Sequence, residues 1–320
     1  MRTLLLPALL LSVLASGCDN GCPSVTRLDA LAGPPSMVQV TFQVKCEGEP
    51  VAAVTASDLS LTEDGQPVID TSAFTVQKLS QVLPSQTLIL LDISSALVAD
   101  GQVEATRTAL VGLVETLQAQ GQRVGLAIFD GDPDLRVVRE WTGDLDLFTQ
   151  ALQEVDTGDR LDSARDLNGT LLQALALLDE AVGEDGDDTL AGIANLVVVV
   201  DGPDTARRES DSAAERAVDD SVHEVFVLAQ VSEAVASSLE PLAKTGFFHG
   251  EGAEGLAQAA ADASDGVVAQ LGKFYRLSYC SPLRSPKATL KIEVAWEDGS
   301  DSISFDYPTA DFGPGCSLPQ

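Results

Sequence analysis

The apolar run at residues 196–200, Leu-Val-Val-Val-Val, places the strongest constraint on how this chain folds. A strand with one face in water alternates apolar and polar residues, but this run does not, so both of its faces must be covered. Parallel strands flanked by helices meet that requirement. Helical spacing of apolar residues over 103–117, with Gly121 as a stop, follows an earlier apolar run. Repetition of this pattern across residues 84–271 predicts a doubly wound, mostly parallel α/β sheet.

The pattern also predicts the individual elements of this domain. The predicted strands are residues 88–91, 124–129, 135–141, 196–200, 225–229 and 247–248. Besides residues 103–117, the predicted helices are residues 145–155, 170–181, 206–220, 232–244 and 255–271.

Two shorter β portions, residues 37–83 and 272–316, flank this domain. Residues 37–45 alternate apolar and polar, which predicts a half-buried strand, and Asp64-Gly65 is a strong signal for a tight hairpin. Each portion is below the size that usually folds alone. We therefore expect the two portions to form one β-sandwich in which the α/β domain is inserted; two separate β appendages are the alternative.

The amino terminus, residues 1–17, has the pattern of a signal peptide. Arg2 precedes an uncharged apolar stretch at residues 4–15, which is shorter than the about 20 residues that span a bilayer. The stretch closes on Leu-Ala-Ser-Gly-Cys, which resembles the bacterial lipoprotein box and would leave Cys18 at the start of the mature chain for lipidation. Residues 18–36 are then a tether. An ordinary secretory signal that carries a cysteine is the alternative.

The other four cysteines are Cys22, Cys46, Cys280 and Cys316. An even number of cysteines in an exported chain favours disulfides. A zinc site is disfavoured because no Cys-x-x-Cys pair occurs among them and both histidines lie far away in sequence. Three pairings are possible. We favour Cys22–Cys46 with Cys280–Cys316, because three up-and-down strands after residue 273 would return the last strand to the edge where the first ended.

Composition and motifs narrow the classes of function. The formal charge is −30, from 49 acidic and 19 basic residues, which argues against nucleic acid and anionic membrane surfaces as partners. Acid enrichment in a salty habitat explains the charge equally well. The sequence has no Gly-x-Ser-x-Gly elbow, no Gly-rich phosphate loop and no dinucleotide fingerprint. We therefore expect a protein that is not an enzyme and that contacts the membrane only through its lipid anchor.

Four side chains lie just past predicted strands or at a predicted helix start. They are Asp92, Ser94, Thr170 and Asp201. Residues beyond the carboxyl ends of the strands in an open α/β sheet line the crevice where ligands bind, so these four are expected to converge. They offer only oxygen atoms, which suits a hard cation such as Mg²⁺, or alternatively Mn²⁺ or Ca²⁺.

These residues resemble the metal-ion-dependent adhesion site of the von Willebrand factor A (VWA) family, written Asp-x-Ser-x-Ser, then Thr, then Asp. Ala96 stands where that motif has its last serine. The order of elements across residues 84–271 is also similar to the VWA fold, which is Rossmann-like. The flanking segments 58–65 and 275–279 resemble those of secreted bacterial members.

The resemblance implies that the two hydroxyls contact the cation and that the aspartates ligate it directly or through water. An open coordination position would accept an acidic side chain of a protein partner. Ala96 removes one ligand, which a water molecule would have to replace. The expected function is a lipid-anchored envelope protein that binds a protein partner through this partly degenerate site. The alternative is a metal-independent structural or assembly scaffold.

Three further acids, Asp162, Asp166 and Asp204, lie in the loops around this predicted site. We interpret them as solvated loop acids; the alternative is that they raise the local negative potential at the site.

Overall fold

The computed structural model describes residues 22–51, 53–83, 85–94, 102–155, 159, 162–183, 192–297 and 299–319. The predicted signal peptide at residues 1–17, the lipidation site Cys18 and Ala96 lie outside the described residues. No helix in the described part of the chain is long and apolar enough to cross a membrane.

The chain forms strands at both ends and alternates strands with helices between them. The strands are β1 Ser24–Gly33, β2 Met37–Cys46, β3 Glu49–Pro50, β4 Leu59–Glu63, β5 Gln66–Pro67, β6 Phe74–Lys78, β7 Ser85–Asp92, β8 Arg123–Phe129, β9 Arg136–Thr142, β10 Ile193–Val200, β11 Glu224–Ala229, β12 Gly246–His249, β13 Phe274–Cys280, β14 Lys287–Trp296 and β15 Gly299–Pro308. The helices are α1 Val103–Ala119, α2 Leu145–Glu154, α3 Leu167–Gly183, α4 Asp211–Asp220, α5 Glu233–Leu239 and α6 Gly252–Leu271.

The central sheet has the order β12-β11-β10-β7-β8-β9 and is parallel except for β9. Alternate residues of β7 enter different cores. Ile89 and Leu91 pack with α1, α2 and α6, while Leu88 and Leu90 pack with α3, α4 and α5. Every residue of β10 is buried, as its unbroken apolar run requires. The predicted doubly wound, mostly parallel sheet is therefore confirmed.

Two antiparallel sheets flank this domain and share one core. Their orders are β1-β2-β13-β6, with β3 also paired to β2, and β15-β14-β4-β5. Each sheet combines strands that precede the α/β domain with strands that follow it. The Asp64-Gly65 turn has positive φ at both residues, as a tight hairpin needs.

The predicted tether at residues 18–36 contains a strand, because β1 pairs antiparallel with β2 along its whole length. Most side chains of β1 are exposed or half-buried. The strand therefore lacks the regular apolar alternation by which a half-buried strand is recognised, and it is held mainly by backbone pairing to β2.

Both favoured disulfides are present, Cys22–Cys46 and Cys280–Cys316. The strand geometry used to predict the second one was wrong. β13 pairs with β2 and β6 in one sheet, whereas β14 pairs with β15 and β4 in the other. β13 is therefore not a neighbour of β14 and β15, because it lies between β2 and β6 of the first β portion.

A buried ion pair lies where the α/β domain meets the sandwich. Lys273, between α6 and β13, donates from Nζ to Glu224 Oε1 at 2.5 Å and to Gln270 Oε1 at 2.8 Å. Burial lowers the pKa of Lys273 to about 8, against the attraction of Glu224. For Glu224, burial acts to raise the pKa, but the charge and hydrogen bond of Lys273, together with the Thr245 hydroxyl and Lys45, lower it overall.

We expect Lys273→Met to lower the free energy of unfolding by about 3 kcal/mol, because it leaves the Glu224 carboxylate buried without its cation. Adding Glu224→Gln should restore most of that loss. Urea unfolding of the two single variants and the double variant measures the coupling. Equal stability of the double variant and Lys273→Met would contradict this assignment.

Candidate functional site

The carboxyl ends of β7 and β10 bring two aspartates to one edge of the central sheet. The strands are parallel neighbours, with Leu91 opposite Val199. Asp92 therefore ends β7, and Asp201 lies one step beyond the end of β10. The Asp92 side chain is fully buried, and the Asp201 side chain is 10% exposed.

A guanidinium group lies between these two carboxylates. Arg165 donates from Nε to Asp92 Oδ2 and from Nη2 to Asp201 Oδ1, both in close charge-assisted contacts. Its third nitrogen, Nη1, donates to the carbonyl oxygen of Pro203 at 3.1 Å. Only 9% of the Arg165 side chain is exposed. One arginine thus links β7 to the loop that follows β10.

The backbone of Arg165 is held as firmly as its side chain. Its N–H donates to Thr205 Oγ1 at 2.8 Å, and its carbonyl accepts from the N–H groups of Thr205 and Ala206, both at 2.9 Å. The next residue, Asp166, donates its N–H to the carbonyl of Asp130, just past β8, at 2.8 Å. The loop before α3 is therefore attached to the strand ends on both sides of β7.

Gly202 provides the space for the guanidinium. A Cβ atom at this position would lie 2.6 Å from Arg165 Nη1, closer than real Cβ contacts allow. The residue next to Asp201 therefore has to lack a side chain as long as Arg165 keeps its position.

The structure treats the two predicted hydroxyl ligands differently. Ser94 is buried beside Asp92, and its N–H donates to Asp92 Oδ1 at 2.8 Å. Thr170 lies in the first turn of α3, and its hydroxyl donates to the carbonyl oxygens of Asp166 and Leu167. Within the described residues, the Thr170 hydroxyl has no hydrogen bond to either aspartate. Asp92 and Asp201 thus bind Arg165 and Ser94 binds Asp92, while Thr170 bonds back to its own helix.

Burial and charge act in opposite directions on Asp92. Burial raises the pKa of this carboxyl, and the Arg165 guanidinium and hydrogen bonds from Ser94 oppose the rise. Arginine stays protonated at every pH a protein tolerates. The positive charge between the carboxylates is therefore permanent.

The arrangement does not fit a divalent cation. One oxygen of Asp92 and one of Asp201 already accept hydrogen bonds from Arg165. The expected Mg²⁺, Mn²⁺ or Ca²⁺ would have to compete with Arg165 for these two carboxylate oxygens.

The acids around the crevice are less solvated than the sequence suggested. Asp166 is 1% exposed and pairs through Oδ2 with Arg208 Nε at 3.3 Å, so the interpretation of this residue as a solvated acid was wrong. Burial raises the pKa of Asp166. Asp204 accepts the N–H of Asn168 at 3.1 Å, which attaches the start of α3 to the loop after β10. Asp162 is exposed.

Arg165, which pairs with both aspartates, was not predicted as a site residue from the sequence. Two signals point to it in retrospect. The motif lacks a hydroxyl at Ala96, and a basic residue stands five positions before Thr170 in the same loop. Gly202, directly after Asp201, supplies the room.

Comparisons with known proteins give a fold likeness at low identity. No protein-family model matches the chain, and no curated protein matches it. Among solved structures, the conserved hypothetical protein BatB from Bacteroides thetaiotaomicron is 15% identical over 59% of this chain and 99% of that one, with a TM-score of 0.45. Proximal thread matrix protein 1 from the mussel byssus is 15% identical over 58% of this chain and 48% of that one, with a TM-score of 0.46.

A third similar structure is the vWF domain of the type V pili tip protein Mfa5 from Porphyromonas gingivalis. It is 12% identical over 41% of this chain and 43% of that one, with a TM-score of 0.29. Likenesses this distant say nothing about what the chain does, so its site is interpreted from its own geometry.

We expect Gly202→Ala to lower the free energy of unfolding by about 1–3 kcal/mol, because the new methyl group must displace the Arg165 guanidinium. Gly143→Ala is the matched control, since a Cβ at this loop glycine meets nothing within 4 Å. In an Arg165→Ala background, Gly202→Ala should cost much less. Thermal unfolding of these variants measures the coupling, and an equal cost in both backgrounds would contradict a clash with Arg165.

Proposed function

We propose that this protein is an exported, lipid-anchored envelope protein whose α/β domain binds a protein partner without a metal ion. The observation that carries the proposal is the Arg165 side chain held between Asp92 and Asp201 at the ligand-binding edge of the sheet. The proposed role of the site is binding. Of the two functions expected from the sequence, this geometry favours the metal-independent scaffold.

Export and anchoring are supported by the cysteines. Two disulfides, one near each end of the chain, suit an oxidising compartment. The Leu-Ala-Ser-Gly-Cys segment ending at Cys18 supplies the attachment point for a lipid. The anchor alone would then hold the protein at the membrane.

The partner would bind at the rim of the crevice. The carboxyl edge of an open α/β sheet is where such folds bind ligands. Arg165 fixes the loops of this rim, which gives a partner a preformed surface. An acidic side chain completing the coordination of a metal ion is no longer expected, because Arg165 already engages both aspartates. Exposed rim residues such as Glu209 would meet the partner instead.

Lipidation is tested by Cys18→Ser in the native host or in a bacterium that processes lipoproteins. The wild-type protein should partition into the detergent phase of Triton X-114 and incorporate labelled palmitate. Cys18→Ser should do neither, because it has no thiol to acylate. If the wild-type protein and Cys18→Ser partition equally and the wild-type protein incorporates no label, the proposed lipid anchor is contradicted.

Partner binding is tested by crosslinked affinity capture from envelope extract, with either Mg²⁺ or EDTA present. The same protein should be recovered in both conditions. Glu209→Lys, at the rim, should weaken capture at least about tenfold, the effect of losing about 1.4 kcal/mol. Glu115→Lys, on the exposed face of α1, is the matched control and should capture like the wild-type protein. Recovery only with Mg²⁺, or equal capture by all three proteins, would contradict the proposal.

A further inference from the structure

Arg165 stands where the VWA-like motif leads one to expect a metal ion. We propose that its guanidinium is the built-in cation of this crevice, and that removing it converts the crevice into a divalent-cation site. The inference rests on the metal-independent part of the proposed function. It adds that the same residues form a divalent-cation site once the guanidinium is removed.

The contacts of Arg165 are those of a counter-ion that bridges two acids. Nε and Nη2 engage one oxygen each of Asp92 and Asp201, the two carboxylates that the motif assigns to a metal. A guanidinium supplies several donors in a fixed plane, which suits two carboxylates that approach from different strands. The Arg165 guanidinium thus places one positive charge between the Asp92 and Asp201 carboxylates, where a divalent metal ion would place two.

The residues around Arg165 hold both its side chain and its backbone in position. Gly202 leaves the space that Nη1 occupies, and the Pro203 carbonyl accepts from that nitrogen at 3.1 Å. Thr205 and Ala206 bind the Arg165 backbone through three hydrogen bonds. The side chain enters the crevice from a backbone whose position these bonds determine.

Removal of the guanidinium would leave two carboxylates close together in a largely buried place. Such a pair either takes up a proton or binds a cation. Asp92, Asp201 and the Ser94 hydroxyl are hard oxygen donors, the type that Mg²⁺ and Mn²⁺ prefer, and water would complete the shell. Thr170 is not needed as a ligand, since its hydroxyl bonds to its own helix.

The experiment compares the purified wild-type protein with Arg165→Ala, using Mn²⁺ alone as the probe. Electron paramagnetic resonance counts bound Mn²⁺, and thermal unfolding reports its effect on the fold. The wild-type protein should bind no Mn²⁺ in this crevice and show no shift of Tm. Arg165→Ala should unfold at a lower temperature and recover about 5 °C when Mn²⁺ is in large excess over its Kd.

Two further variants assign the effect. Arg165→Ala with Asp92→Asn should lose both the bound Mn²⁺ and the recovery of Tm. Arg136→Ala is the matched control: it removes the arginine paired with Asp130 at 3.1 Å and should gain no Mn²⁺ binding. If Arg165→Ala does not fold, Arg165→Gln, which keeps a polar side chain but no charge, takes its place.

Asp92-dependent Mn²⁺ binding by the wild-type protein would overturn the inference. So would a folded Arg165→Ala or Arg165→Gln protein that binds no Mn²⁺. Neither result depends on partner capture, so the inference and the proposed function can fail separately.

Discussion

The contact of one guanidinium with two carboxylates determines how the functional edge of this protein is built. Asp92 is buried at the end of a central strand, where an unpaired carboxylate would be costly. Arg165 compensates that charge, reaches Asp201 just past the end of the neighbouring strand, and through its backbone attaches the loop before α3 to the loop after β10. The connection between the two loops, the need for glycine at position 202 and the occupation of one oxygen of each aspartate all follow from this contact.

The fold holds the carboxyl edge of the central sheet in a fixed position. The central sheet is covered on both faces, so its strand ends are fixed by two apolar cores. The sandwich joins the two end portions of the chain, since each of its sheets contains strands that precede the α/β domain and strands that follow it. Within it, the buried Glu63 carboxylate accepts hydrogen bonds from Tyr279 at 3.0 Å and from Ser281 and Tyr307, which links the two sheets.

The central domain could be predicted from the sequence because its signals are local and strong. The unbroken apolar run at residues 196–200 predicts a strand that is buried on both faces. The helices have the spacing of apolar residues that is typical of a helix with one packed face. Strand β1 could not be recognised, since an edge strand held by backbone pairing leaves little mark on side-chain pattern. The start of α4 was misplaced for a related reason: residues 206–210 read as helical, but the Ser210 hydroxyl accepts the Ala213 N–H and begins the helix at Asp211.

Some residues of the site could likewise be predicted from the sequence, whereas Arg165 could not. The positions of Asp92 and Asp201 follow from strand order, which the sequence reveals. The placement of Arg165 depends on the rotamer of a long side chain and on space left by a glycine from another loop, and neither is visible in a linear pattern. Diffraction from crystals soaked in Mn²⁺, with anomalous data, tests the central claim most directly. We predict guanidinium density between Asp92 and Asp201 and no anomalous peak there; a manganese peak bridging the two aspartates, with Arg165 turned away, would contradict it.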